Sequence, residues 1–190
     1  IRAAYDGSNI MSWISSSSAF SDPDLYQMYN SCQTKSKWHT AYIKPIQKLN
    51  IGGVMWYQGE GNTWYKNNNY EKALTTLIES WRDEWNDQEL PFAVVQLPTA
   101  DFNIIYGNRT PSNTGGFCTG IGVRDAQWQV SQKLENVTTV VSIDTGRKTE
   151  VHPQDKQPIA DRAAKVFEHY LMGNDTDAYQ SPSYDYMEIT

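Results

Sequence analysis

A chain of 190 residues has room for one domain with a sizeable core and is tight for two. Its formal net charge of −6, from 16 basic and 22 acidic residues, argues against nucleic acid or an anionic membrane as partner, since both need clustered Lys and Arg. A small neutral or weakly charged ligand fits better, and no stretch approaches the ~20 apolar residues of a membrane span.

Aromatic residues make up 13% of the chain and seven are Trp, which read first as core fillers and only second as sugar-stacking platforms. Cys32 and Cys118 are too few for a disulfide scaffold and wrongly spaced for a metal site, and one bridge or two free thiols are both open. Three acceptor triplets for N-glycosylation, at Asn108, Asn136 and Asn174, point weakly to a secreted, periplasmic or lysosomal setting.

In chain order, Ile1 to Tyr5 reads as a short strand and Asp6-Gly7-Ser8-Asn9 as a turn. Ser15 to Ser18 is a polar tract read as loop. Residues 22–31 and 38–48 are expected to be helical, the first opened by Asp22-Pro23, the second carrying Trp38, Tyr42, Ile43 and Ile46 at helical spacing. His39 lies inside that second pattern and reads as a packed or surface histidine. Gly52 to Thr63 then runs from an apolar strand into a glycine-rich polar turn.

Tyr70, Ala73, Leu74, Leu77, Ile78, Trp81 and Trp85 fall on one stripe of a long helix that stops by Leu90-Pro91. Phe92 to Pro98 is a continuous apolar run of the kind a buried parallel strand needs. Residues 99–119 read as a long loop able to shape a binding site. A helix opens around Gly122 to Gln127, a fourth β-branched run spans Thr138 to Asp144, and His152 sits in a loop before a helix reaching about Met172. Four apolar runs alternating with helical patterns predict an α/β domain with a parallel sheet between helices.

Two places in this pattern carry chemistry. Gly59 and Gly61 flank Glu60 and let the backbone bend tightly, while Asn62 offers an amide that can donate to an oxyanion. His152 follows the last predicted strand, and an imidazole that titrates near neutrality can take a hydroxyl proton and return it to a leaving alkoxide. The combination is that of acyl transfer.

At these residues the chain resembles a known family. Trp56-Tyr57-Gln58-Gly59-Glu60-Gly61-Asn62 is similar to the Trp-Tyr-Gln-Gly-Glu-(Ser/Ala)-Asn block of the sialate O-acetylesterases, carbohydrate esterases of the SGNH-hydrolase type. Three further blocks agree in order. Gly7 to Trp13 resembles a Gly-Gly-(Thr/Ser)-x-Ile-x-x-Trp block with Asp6 in place of its first glycine, Arg124-Asp125-Ala126-Gln127 resembles Arg-Glu-Ala-Gln, and Glu150 to Lys156 resembles Asp-Ile-His-Pro-x-x-Lys. Their joint order is far more specific than any one block.

The resemblance implies a three-layer α/β/α SGNH-hydrolase-like fold around a central parallel sheet. Residues 1–173 would be the esterase domain and 174–190 a linker toward a further β-rich region. It implies a serine esterase without cofactor or metal, acting on an O-acetylated sugar, either 9-O-acetyl sialic acid or an acetylated plant polysaccharide. His152 would be the base, Gly7 and Asn62, with the Gly59 backbone, the oxyanion donors, and Glu150 the group that orients the imidazole, with Asp144 its competitor and a bare Ser–His pair the third option.

Gln58, Glu60, Trp64 and Arg124 are the candidates for substrate contact; a purely structural role is the alternative for Glu60 and Arg124. The family's nucleophile lies in a Gly-Gln-Ser-Asn-Met block, and residues 1–190 contain none. An upstream segment or a separate chain is therefore expected to supply the Ser, and Ser8 is kept as an alternative nucleophile. Two rival functions are a non-catalytic carbohydrate-binding domain on the esterase scaffold and a glycosidase pairing Glu60 with Asp144 or Glu150.

Overall fold

The structure, a computed structural model, describes residues 1–63, 69–100, 120–150, 152–174 and 179–181. Three of the apolar runs form strands β1 (Val54–Trp56), β2 (Phe92–Val95) and β3 (Val137–Val140), all parallel and side by side in sequence order. Phe92 stands opposite both Val54 and Val137, so β2 is central and its four residues are all buried.

The alternation of side chains along a strand then divides the core. Phe92 and Val94 face the larger cluster, with Leu74, Leu77, Ile78 and Trp81 of α3 (Tyr70–Trp85) and Val123 and Val130 of α4 (Gly120–Lys133). Ala93 and Val95 face the other way, against Ile159, Ala163 and Val166 of α5 (Gln157–Met172). The result is helix, sheet, helix in three layers, as expected for a strand set that reads as continuous apolar runs.

The first third of the chain departs from its pattern in three respects. Residues 1–5 form no strand, because they have no ladder partner among the described residues; Tyr5 instead stacks on Trp38 with ring centroids 3.7 Å apart. The sheet accordingly has three strands rather than four among the described residues. The serine tract is not a loop but helix α1 (Ser16–Phe20), since the Ser15 hydroxyl caps it by accepting the Ser18 N–H at 3.1 Å.

Helix α2 (Pro23–Ser31) starts where Asp22 and Pro23 indicate. The expected helix over 38–48 winds as a wide π segment, His39–Ile43, followed by a tight 3-10 turn, Lys44–Ile46. Pro45 lacks the N–H that a continuous α-helix would use there. His39 is packed, its Nε2 lying 2.9 Å from a Glu84 carboxylate oxygen on α3.

Candidate functional site

The chain leaves β1 at Tyr57 and turns through Gly59 into a short helical turn, Glu60–Asn62. That turn lies backbone against backbone on the Asp6–Ser8 turn: a Cβ on Gly61 would sit 2.6 Å from the Ser8 carbonyl oxygen and 2.9 Å from that of Gly7. Gly7 itself has φ +62°, in the left-handed region that favours glycine. The close approach of these two turns thus depends on the missing side chain at Gly61, whereas a Cβ at Gly7 would meet nothing within 4 Å.

Polar side chains lock this contact from within. The Asn62 carbonyl oxygen accepts the Ile10 N–H at 3.0 Å and the Gln58 amide at 2.8 Å, and that amide also donates to the Ser8 carbonyl at 2.7 Å. The Gln58 carbonyl accepts the Tyr70 hydroxyl at 2.8 Å and the Gln127 amide at 3.0 Å. Gln127 spans further, donating to the Val95 carbonyl at 3.1 Å and accepting the Leu97 N–H at 2.9 Å. Burial pushes the Tyr70 hydroxyl far up, so it stays a donor. Asn62 and Gln127 are fully buried, and the Asn62 carbonyl is committed to this brace.

His152 approaches the same turn from the solvent side. Its side chain is 65% exposed, and its Nε2 lies 4.0 Å from an Asp6 carboxylate oxygen. Asn62 and His152, 90 positions apart in sequence, therefore both meet the Asp6–Ile10 segment, Asn62 at the Ile10 N–H and His152 beside Asp6. Glu60 is within electrostatic reach of His152. Burial pushes its carboxyl above the usual range, and the charges of His152 and Lys156 pull part of the way back.

The Lys156 ammonium stands 4.8 Å over the Tyr57 ring and donates to its hydroxyl at 3.3 Å. Burial, with the Glu60 charge beside it, pushes that hydroxyl up to about 12. Lys156 is pushed down by burial while Glu60 and Glu150 oppose the shift. Opposed carboxylates, an ammonium and an imidazole thus share one rim.

The remaining sequence candidates are placed as follows. Glu150 accepts the Gln154 side-chain amide at 3.2 Å. Asp144 is held by both terminal nitrogens of Arg162 at 2.7 Å, which keeps its carboxyl below the usual range. The Arg124 guanidinium reaches the Pro98 carbonyl at 3.4 Å, and burial lowers its basicity. The Ser8 hydroxyl is buried and accepts the Trp13 indole N–H at 2.8 Å. Trp64, Cys118 and residues 101–119 lie outside the described residues.

The sequence assigns Tyr70 no role beyond helix patterning and Gln127 none beyond its place in the Arg124–Gln127 block. The signal for Gln127 was a polar residue at an apolar position of its helix, between Val123, Ala126 and Val130.

A parallel sheet between helix layers, with a glycine-rich turn, a buried amide and an exposed imidazole gathered beyond a strand end, is an α/β domain of ligand-handling type. The particular family follows from comparison. The model of the carbohydrate esterase family SASA, sialic acid-specific acetylesterase, matches residues 1–164, and the chain belongs to that family. The human and Pongo abelii sialate O-acetylesterases are each 29% identical over 182 residues, covering 85% of this chain and 33% of theirs. The mouse sialate O-acetylesterase is 27% identical over 161 residues.

The crystal structure of a carbohydrate acetylesterase from Xanthomonas citri superposes with a TM-score of 0.72 at 28% identity, over 90% of this chain and 36% of that one. The chain thus spans about a third of the length of these relatives.

Proposed function

We propose that this chain carries the base and oxyanion side of a carbohydrate O-acetylesterase, with the attacking Ser supplied by an upstream segment or a separate chain. The substrate is an O-acetylated sugar, such as a sialate or a plant polysaccharide. As the Ser oxygen attacks the acetyl carbonyl, His152 takes its proton. The N–H groups of Gly7 and Gly59 and the Asn62 amide stabilise the tetrahedral oxyanion. Collapse expels the sugar alkoxide, which His152 protonates. Water repeats the cycle on the acyl-enzyme, releasing acetate and restoring the Ser.

Glu150 is the carboxylate proposed to orient the imidazole, and Glu60 and Arg124 border the sugar, whereas Gln58 is buried and held by Ser8, Asn62 and Tyr70 and so braces the site instead of contacting substrate. The observation that carries the reading is the meeting of three separate segments at one rim: the Gly7 turn, the Glu60–Asn62 turn packed on it, and His152 beside Asp6. Its test is acetate release from acetylated sugars by the longer protein with and without His152→Ala. Loss of a base of this kind is expected to lower kcat about 10²- to 10⁴-fold with the fold intact. Undiminished turnover would overturn the assignment, and tight sugar binding without any acetate release would favour a carbohydrate-binding domain.

A further inference from the structure

We infer that Asp6 sets the charge preference of this site, turning it away from anionic acetylated sugars such as sialates and toward neutral ones; the inference rests on the esterase reading above. Asp6 occupies the place of a glycine in the resembling block, so its carboxylate is an addition to the rim and not part of the shared pattern. The carboxylate is 94% exposed and one of its oxygens is 4.0 Å from His152 Nε2, the imidazole being 65% exposed on the same open side. A sugar presenting its acetyl group to His152 must pass beside it.

The surrounding charges do not cancel this field. The Lys156 ammonium is engaged with Tyr57, standing over its ring and donating to its hydroxyl. Among the described residues, no Lys or Arg lies within ion-pair distance of Asp6. Asp6 also acts on Glu60 with like charge. The exposed Asp6 carboxylate therefore faces solvent beside the imidazole, with no opposing Lys or Arg in reach among the described residues. A sialate would add its own carboxylate to that side, within the range where like charges repel even through water.

Asp6 is well solvated, so its influence is that of a screened charge: on the order of a 3- to 10-fold change in kcat/KM for one extra negative charge on the sugar. It is a specificity-determining residue, acting on charge and not on bond making.

The test uses the full-length protein and two matched pairs, 9-O-acetyl sialic acid with its methyl ester and a mono-O-acetyl glucuronic acid with its methyl ester. Acetate release is read, so that hydrolysis of the methyl ester does not count. The neutral ester is expected to exceed the free acid in kcat/KM about 3- to 10-fold in the wild type. That ratio should fall toward 1 in Asp6→Asn and Asp6→Gly, persist in Asp6→Glu, and shrink in ~0.5 M NaCl. A structural role would change both members of a pair alike and leave the ratio in place. A ratio near 1 in the wild type, or one that Asp6→Asn leaves unchanged, overturns the inference while the esterase reading stands. No acetate from any of the four substrates overturns both.

Discussion

At Glu60 burial and neighbouring charge pull in opposite directions. Burial is the larger influence and raises its carboxyl from the ordinary 4.5, so the folded protein holds that proton more tightly than the unfolded chain does. Below the ordinary value both states are protonated and the residue costs nothing; as pH rises through the folded-state value, ionisation in a buried place takes stability away. Glu60→Gln is therefore expected to melt above the wild type at about pH 8, with the gap closing by about pH 4. A gap independent of pH, or of the opposite sign, would mean that local N–H groups hold the charge well. Beside it, Gly61→Ala tests the loop contact: the new Cβ would lie 2.6 Å from a backbone oxygen, and neither loop can retreat alone. A loss of about 1–3 kcal/mol in denaturant unfolding is expected, together with loss of acetate release, because the two proposed oxyanion loops part.

At the scale of elements, one buried side chain ties the helix layer to two strand entrances. Arg82 of α3 donates to the Leu90 carbonyl at 3.1 Å and to the Glu135 carbonyl at 2.7 Å, just before β2 and β3. Arg82→Met keeps the aliphatic stem but leaves both carbonyls without this donor, so a loss of about 2–3 kcal/mol is expected, or roughly 4–10 °C in Tm for a chain of this size. An unchanged melting temperature would show that water replaces the guanidinium. Arg82 was not singled out in the sequence because a charged residue within an amphipathic helix reads as solvated. The same blindness explains what else was missed. Periodicity locates β2, α3 and α5 because burial of Phe92, Leu77 or Val166 is written in the spacing of apolar residues. It does not show that Ser15 caps a helix, that residues 1–5 lack a ladder partner among the described residues, or that Pro45 splits a helix into π and 3-10 turns. In the site, the motif residues were legible as types, whereas the Gln58–Asn62–Tyr70–Gln127 brace depends on which polar atoms folding brings within 3 Å, and no spacing rule encodes that.

For the whole molecule, the question is whether folding and turnover belong to the same length of chain. The 190 residues contain a two-sided core, with Phe92 and Val94 facing α3 and α4 and Ala93 and Val95 facing α5, and that is enough for a cooperative unit. The hydroxyl at the proposed rim, Ser8, is poorly disposed to attack: it is buried and committed to the Trp13 indole at 2.8 Å. A nucleophile needs a base within hydrogen-bond reach, and a hydroxyl fixed inside the core as a structural acceptor cannot meet a sugar ester. On the proposal that the Ser lies outside these residues, the 190-residue chain alone is expected to unfold cooperatively yet leave p-nitrophenyl acetate at the background rate, with hydrolysis appearing only when a segment carrying that Ser is supplied. In the longer protein Ser8→Ala should cost about 1 kcal/mol of stability through the lost indole acceptor while turnover persists. Robust hydrolysis by the isolated chain, abolished by Ser8→Ala, would make Ser8 the nucleophile and require the Trp13 contact to open during the reaction.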